Sequence, residues 1–565
     1  MPHFRRFLLA LTTVLAGSFL APTPASAQMG SAWQWASAGG SIAPDEGTAI
    51  AVDAAGNTYV TGFCRDSAQF GVLALPGRGG DDIFVAKYDP IGALLWLRGG
   101  GSASLDQSRG IAVDPLGNCY VSGIVGGPAT FDNLPLPGTG FQAFVVSYDP
   151  AGTVRWVRGG GGAGFGLSLD AGGNVYAVGA FTGQTTFGAI TLTSTSLDND
   201  NFVVSYDPSG NVRWARQFGG VGDEAATLIG VSPAGDYCVA GGFRQTTTIG
   251  GITLTGVGLK DGFVAKFNAA GVAQWAAVFG GAGGYTEPGG LAVGQGGECY
   301  VVGNSDAPIS QLGPFQQQNP AAGQGGIGGF VACYSASGVP RWLRGVISPI
   351  AAAAVGVARH GAELYVTGGF KGTTTFESAS NSLTLSAVGA VDLFVTRYDT
   401  AIGQLITVIR AGGTQAAVDL AVGQAIAVDA AGASHLTGIF GADMAIGTLQ
   451  PGSLPVLTSR GNFDVFVATL SAGPMATPHP LTEAAFRIFP TPAKPAACLT
   501  IEGLALAAPV RLTLLDALGR AVQTFTTTPA ANGTGTWTPA AAPAGIYSLR
   551  AEQNGVARTR RVVIE

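Results

Sequence analysis

One short segment returns seven times along this chain, and it constrains the fold more than any other feature. It reads IAVDAAGNTYVTGF at Ile50–Phe63 and IAVDPLGNCYVSGI at Ile111–Ile124. Looser copies start at Leu167, Ile229, Leu291, Val355 and Ile426. The glycine near the end of each copy falls at Gly62, Gly123, Gly179, Gly241, Gly303, Gly368 and Gly438, in steps of 61, 56, 62, 62, 65 and 70 residues. A repeat of this size is one supersecondary unit laid down many times.

Each unit carries four strand-like runs, which in the first are Thr48–Asp53, Thr58–Phe63, Ile83–Asp89 and Leu94–Arg98. The first two are joined by Asp53-Ala54-Ala55-Gly56-Asn57, where Asp can accept from backbone two residues on and Gly supplies a positive φ. The second unit repeats this signature. Asp53, Gly56, Asn57, Tyr59 and Gly62 become Asp114, Gly117, Asn118, Tyr120 and Gly123. The third run, such as DIFVAKYD (Asp82–Asp89), is rich in β-branched and aromatic residues, as a half-buried strand should be. A YDPxG turn follows, and the fourth run centres on Trp96, Trp156, Trp214, Trp275 or Trp342. Four antiparallel strands repeated radially predict a β-propeller, here with seven blades.

The chain ends of that ring are uneven. The sixth unit has LITVI (Leu405–Ile409) in place of the Trp run, and the seventh stops after its third run at Ser471. An orphan fourth run, SAWQWASAGG (Ser31–Gly40), stands near the N-terminus, and Trp35 lies 61 residues before Trp96. The expectation is that Ser31–Ala36 completes the seventh blade, closing the ring and covering a sheet edge.

Charged residues are 11% of the chain, against an ordinary ~25%, and 89 residues are glycine. The 47% apolar content arranged in strand periodicity argues against disorder. A net charge of -6 argues against a nucleic-acid partner, which needs a clustered basic face. The arginines beside the outer-strand tryptophans, Arg155/Arg158 and Arg341/Arg344, read as alternate, solvent-facing positions.

Arg5-Arg6, the apolar Phe7–Ala21 and Ala25-Ser26-Ala27 form a secretory signal peptide, with cleavage between Ala27 and Gln28. No other apolar run is long enough to span a membrane. Of six cysteines, Cys119, Cys238 and Cys299 hold equivalent positions in different units, which predicts separations too large for pairing. Cys299 and Cys333, on neighbouring runs of one unit, could meet, and buried apolar thiols are the simpler expectation.

The domain plan is 1–27 signal peptide, 28–472 propeller, 473–484 proline-rich linker and 485–565 a second β domain. From residues alone the last is a small immunoglobulin-like β-sandwich. Its residues carry a resemblance. Phe489-Pro490-Thr491-Pro492-Ala493, Asp516 with Gly519-Arg520, Gly545-Ile546-Tyr547-Ser548-Leu549-Arg550 and the final Arg561–Glu565 resemble, in order, the motifs of the type IX secretion system C-terminal sorting domain. Thr491 departs from the family's Asn. The resemblance implies a Gram-negative host and export by the type IX machinery. It also implies removal of the sorting domain, with release or lipopolysaccharide anchoring at the cell surface. The repeats resemble an exported bacterial β-propeller repeat family with no settled activity.

Chemistry is sparse. His360, His435 and His479 are distant from one another, and His435 replaces the repeat's Tyr. No nucleophile elbow, metal-binding His pair or phosphate loop is present. Asp53, Asp114, Asp170 and Asp429 recur at one repeat position, which turn chemistry predicts and catalysis does not. Asp81-Asp82 and Asp198–Asn201 are the local oxygen clusters that calcium would use, but EF-hand spacing is absent. The expectation is a non-enzyme without a cofactor: a secreted or surface binding and adhesion scaffold for a glycan or protein. Its variable segments lie between second and third strands (Cys64–Asp81, Val125–Gln142, Gly242–Lys260, Asn304–Gly328, Phe370–Ala390), and pieces such as Thr185–Gly188 predict short strand extensions there. A glycan hydrolase or lyase with carboxylates at the channel is the alternative, but no unique acidic pair can be placed there from sequence. A passive spacer is a third reading.

Overall fold

A computed structural model describes residues 33–195, 199–220, 224–323, 326–413, 419–446 and 456–471. Beyond these it describes the strands of the C-terminal region and a few residues beside them. The signal segment with Ala27 and Gln28, the linker with His479, and Asp198, Pro490, Pro492, Cys498 and Gly519 lie outside the described residues. The chain separates into two units, Met1–Ala472 and Gly473–Glu565. Among the described residues every regular element is a strand.

In the first unit each repeat forms a four-stranded antiparallel core, in chain order for all but the last, and three of these cores gain a hairpin to make six-stranded sheets. The first repeat contributes Glu46–Val52, Thr58–Arg65, Asp81–Tyr88 and Leu94–Gly101. The first strands of successive sheets touch one another in sequence. The last of them, Leu420–Val428, touches Glu46–Val52, so the contacts run in a closed cycle. Glycines make this close approach possible. A Cβ at Gly166 would lie 2.9 Å from the Thr227 carbonyl oxygen of the neighbouring first strand. One at Gly356 would lie 3.0 Å from Ala425 Cα.

The seventh repeat has no fourth run of its own, and its sheet is completed from the other end of the chain, as expected. Leu420–Val428, Ser434–Gly441 and Asp464–Leu470 are joined by Trp33–Gly40, which pairs Ala36 with Ala468 and Ser37 with Val467. The paired strand runs four residues further than the predicted Ser31–Ala36, because Gly39 and Gly40 also bond a hairpin of the first repeat.

Second and third strands are buried along nearly their whole length, as in Tyr237–Phe243 and Asp261–Phe267. Sheets cover them on both faces, so the core lies between sheets rather than at the axis. Tyr59, Ile83 and Val85 of one sheet pack with Cys119, Val121, Phe144 and Val146 of the next. Full burial of such side chains contributes about 1.5–3 kcal/mol each.

The outer tryptophans fasten neighbouring sheets. Trp96 Nε1 donates to the Pro150 carbonyl in the next sheet's YDPAG turn, at 3.1 Å. Trp35 reaches Pro90, Trp156 reaches Pro208, Trp275 reaches Ala336 and Trp342 reaches Thr400 in the same way. The expectation of solvent-facing arginines holds for the exposed Arg155 and Arg341 and is corrected for Arg158 and Arg344. Arg158 Nε donates to Gly210 O at 2.7 Å and Arg344 Nε to Gly403 O at 3.0 Å, both across the sheet boundary. Their planar forks reach carbonyls that a tight turn leaves unpaired. Arg155 bonds Tyr120 and Ser147 within its own sheet.

The variable segments between second and third strands fold largely as hairpins laid on the preceding sheet's outer edge. Ala68–Phe70 with Leu73–Leu75 joins Trp33–Gly40, and Ala129–Phe131 with Leu134–Leu136 joins Leu94–Gly101. Thr373–Phe376 with Leu383–Ser386 joins Pro340–Ile347. These three hairpins cover sheet edges, while the predicted extension at Thr185–Gly188 lies in a separate two-stranded hairpin, Gln184–Phe187 with Ile190–Thr193.

Cysteine pairing also differs from expectation. Cys238 and Cys299, on second strands of neighbouring sheets, form a disulfide with Cα atoms 7.0 Å apart. They are not at equivalent positions, because Cys238 lies three residues before its closing glycine and Cys299 four. The one-residue offset turns the two side chains to opposite faces of their strands, so both enter the layer packed between the two sheets, and that proximity was missed. Cys333 is buried and unpaired, as are Cys64 and Cys119.

In the second unit the described strands form two antiparallel sheets, one of three strands and one of four. Leu512, Leu514, Leu549 and Val562 are buried in the four-stranded sheet. Asp516 accepts from Arg520 N at 2.9 Å and Arg520 Nε at 2.8 Å, closing the hairpin between Val510–Leu515 and Ala521–Thr527. Gly545 opens the strand Gly545–Gln553, and Tyr547 donates its hydroxyl to the Pro543 carbonyl at 2.8 Å.

Candidate functional site

The recurring residues of the repeat build turns. Asp53 Oδ1 accepts from Ala55 N and Asn57 N, and its Oδ2 accepts from Asn57 Nδ2 at 2.8 Å and the Tyr59 hydroxyl at 3.2 Å. Gly56 turns the corner at φ 83°. Asp114, Gly117, Asn118 and Tyr120 reproduce each bond. Gly62 and Gly123 lie where a Cβ would meet the first strand's carbonyl at 1.9 and 2.1 Å. At that level each first strand has an irregular register.

The oxygen cluster at Asp81-Asp82 is engaged by protein donors. Asp81 accepts from Arg65 Nη2 and Gln107 Nε2, each at 2.7 Å, and Asp82 accepts from Arg78 N at 2.6 Å. Asp200 accepts from Thr195 N at 2.9 Å. Among the described residues no group of three or more His, Cys, Asp or Glu is arranged to hold a metal ion. His435 is buried, with Nδ1 2.7 Å from the Thr58 hydroxyl of the first sheet and Nε2 3.5 Å from Asp429. Burial lowers its pKa, against the opposing pull of Asp429. It therefore packs between the last and first sheets, as a substitute for the repeat's Tyr.

A cavity of about 300 Å³ lies among the first strands. It sits where first strands begin and second strands end, the opposite end of the sheets from the Asp53-type turns. Glu46, Arg109, Lys260, Glu287, Asn304 and Gln424 line it, with Phe165 as its aromatic wall. Lys260 precedes a third strand and crosses over Gly242, where a Cβ would fall 2.4 Å from its Cε. It then pairs with Glu287 at 2.7 Å.

Gln424, Glu46 and Arg109 stand on three consecutive first strands and make one wall. Removal from bulk water pushes the Glu46 carboxyl up to about 7, against the pull of Arg109, and Asp81 adds to the rise. Burial lowers the Arg109 pKa, opposed by Glu46 and Asp81. Arg109 Nη2 donates to Gln107, but its Nε has no partner. Gln424 is 7% exposed, and its Nε2 likewise has no partner. Buried donors without partners cost about 1–3 kcal/mol each.

Sequence reasoning missed this site. Glu46, Arg109, Glu287 and Gln424 fall outside the recurring turn positions, and departures from a repeat pattern at the starts of first strands were the available signal. The structure brings Glu46 and Glu287 to one cavity, whereas no acidic pair could be placed there from sequence.

No protein-family model matches the chain. Over 232 residues, 34% of its length, it is 28% identical to an uncharacterized WD repeat-containing protein of Acanthamoeba polyphaga mimivirus. The match spans 17% of that relative's length. Among solved structures it aligns with PorZ, described as a bacterial surface component of the type IX secretion system of Porphyromonas gingivalis. That alignment has 14% identity, covers 92% of this chain and 81% of PorZ, and has a TM-score of 0.25. A lignostilbene dioxygenase of Pseudomonas brassicacearum aligns at 10% identity over 77% of this chain and 91% of its own, with a TM-score of 0.33.

Proposed function

We propose that this chain is a secreted or cell-surface binding and adhesion scaffold. In this reading the closed cycle of sheets is a seven-bladed β-propeller. The second unit is an immunoglobulin-like sorting domain that directs export through the type IX secretion system, followed by release or lipopolysaccharide anchoring. The observation that carries the binding role is the cavity among the first strands, lined by Glu46, Arg109, Lys260 and Glu287. The signal segment and the four ordered motifs of the C-terminal region support the export route. The type IX machinery and a glycan or protein ligand are the partners.

Fractionation of the native host tests this, with separate antibodies to the first unit and to 485–565. The first unit is expected on the surface or in the medium, without the C-terminal unit. An intact chain held in the periplasm would overturn the export reading.

One observation favours a second reading, a glycan hydrolase or lyase. Glu46, held near neutrality, and the Lys260-paired Glu287 share one cavity, and paired carboxylates of unlike environment are what glycoside cleavage uses. Release of reducing sugar from glycan panels, lost in both Glu46→Gln and Glu287→Gln, is the result expected under that reading.

A further inference from the structure

Two carboxyls are buried together where the last sheet meets the first. Asp464 opens the third strand of the last sheet, and Asp45 ends the connection from Trp33–Gly40 into the first sheet. Each is 1% exposed. They meet over Gly40, where a Cβ would lie 2.5 Å from Asp464 Oδ1 and 2.7 Å from Asp45 Oδ2. Two ionised carboxylates this close oppose each other, and burial adds to the cost of charging both. Neither side chain is free to turn away. Asp45 Oδ1 accepts from Arg65 N at 2.9 Å and Ser41 Oγ at 3.1 Å, and its Oδ2 accepts from Ser41 N. Asp464 Oδ2 accepts from Arg460 N at 2.7 Å. Asp464 Oδ1, on the side of Asp45, is buried with no hydrogen-bond partner among the described residues.

We propose that Asp45 and Asp464 form a proton-operated latch on the closure: one proton held between them keeps Trp33–Gly40 against the last sheet, and its loss loosens that strand. The proton comes from solvent, sits on Asp464 Oδ1 and is donated toward Asp45 Oδ2, which leaves the pair with a single negative charge. The latch is independent of the binding role. Arg460 faces Asp464 and offsets that charge, and its Nη1 donates to Gly40 O at 3.3 Å. The Cys64 thiol faces Asp45, and burial with the Asp45 charge raises its pKa; Asp464 and Asp82 add to that rise. The Arg65 side chain is turned to Asp81, and Glu46 faces Arg109 and Asp81. His435, at the same boundary, bonds Thr58 and Thr469 instead. Burial raises the Asp45 carboxyl from 3.8 to about 6 against the donors at Ser41 and Arg65, and the Asp464 charge adds to the rise. Burial also raises Asp464, opposed by Arg460. Because the folded value lies above the ordinary one, the latch is complete below pH 3.8 and is lost as pH rises through about 6. Asp82 and Asp106 repeat the arrangement between the first and second sheets, with Asp82 Oδ1 again unpartnered. There the fourth strand, Leu94–Gly101, follows its own third strand through a tight turn, whereas Trp33–Gly40 reaches its sheet from the far end of the chain.

The test is hydrogen exchange of the full chain, followed by peptide at pH 5 and pH 8 and corrected for the intrinsic exchange rate. Protection over Trp33–Gly40 is expected to fall about tenfold at pH 8, the equivalent of one pKa unit. Val154–Gly161 is the control strand, because the third strand beside it opens with Gln142 in place of an acid, and its protection should not change. Asp464→Asn presents an amide donor to Asp45 at every pH, so Trp33–Gly40 should stay protected at both. Glu46→Gln should keep the wild-type fall. If Asp464→Asn fails to fold by melting curve, Asp45→Asn, which also removes the second charge, carries the same test. Wild-type protection that is unchanged between the two pH values overturns the latch, as does an equal fall over Val154–Gly161. A pH response that survives in the folded Asn variant, or that disappears in Glu46→Gln, overturns it as well.

Discussion

Gly152 and Gly210 show how a single residue can hold two sheets together. Each takes φ 82° in a YDPxG turn, and a Cβ there would fall 2.8 Å from the Trp96 indole and 2.6 Å from that of Trp156. Conformation and contact both exclude a side chain. Gly152→Ala is therefore expected to cost about 2–4 kcal/mol by chemical denaturation, combining left-handed strain with a ring clash. Gly183, at φ 69° with open space around its Cβ direction, isolates the first part. Gly183→Ala should cost about 1 kcal/mol. Equal losses at both positions would show that the indole contact adds nothing. At the same scale, Glu46 links stability to pH. Its carboxyl is raised from 4.5 to about 7 by burial, so its stabilising contribution is complete below about pH 4.5 and is lost as pH rises through 7. Asp45 acts in the same direction, raised from 3.8 to about 6 by burial. Glu46→Gln should flatten the melting temperature between pH 5.5 and 8 and raise stability at pH 8 by roughly 1–2 kcal/mol, after screening by water in the cavity.

Among elements, the fourth strand explains an irregularity in the repeats. On five fourth strands a Trp docks on the turn between third and fourth strands of the next sheet. The last sheet has no such turn, because its third strand is Asp464–Leu470 and its fourth is Trp33–Gly40 from the other end of the chain. A Trp on Leu405–Ala411 would have no carbonyl to reach, and that strand carries Leu, Ile and Val instead. Removing 28–40 takes away a whole strand, the Trp35 latch and the edge that bears the Ala68–Phe70 hairpin. The melting temperature should drop sharply, and an unchanged curve would refute closure by this strand. Trp35→Ala alone, at a position 7% exposed, should cost about 3–5 kcal/mol.

For the whole first unit, the disulfide between Cys238 and Cys299 ties neighbouring sheets across 61 residues of chain. Chain-entropy reasoning assigns a loop of this length about 4 kcal/mol. Reduction, or Cys238→Ala with Cys299→Ala, should lower the melting temperature, and peptide mapping without reductant should recover the linked pair. Two free thiols in the oxidised protein would contradict the assignment.

Much of this architecture was legible in the chain itself. The Asp-x-x-Gly-Asn turns, the places of the third strands, the count of repeats and the spare N-terminal strand all follow from local periodicity and turn chemistry, which act over a few residues. The full burial of the third strands, expected to be half-buried, comes from sheets packed on both faces. The cavity did not. Glu46, Arg109, Glu287 and Gln424 are separated by 63, 178 and 137 residues along the chain. They meet only because the first strands crowd together on glycines such as Gly166 and Gly356. The Cys238–Cys299 contact and the carbonyl targets of Arg158 and Arg344 have the same origin. The sequence by itself determined what each unit is, because hydrogen bonding and burial within a unit are local. Only the tertiary structure decided what the units hold between them, because that depends on how closely one sheet packs against the next.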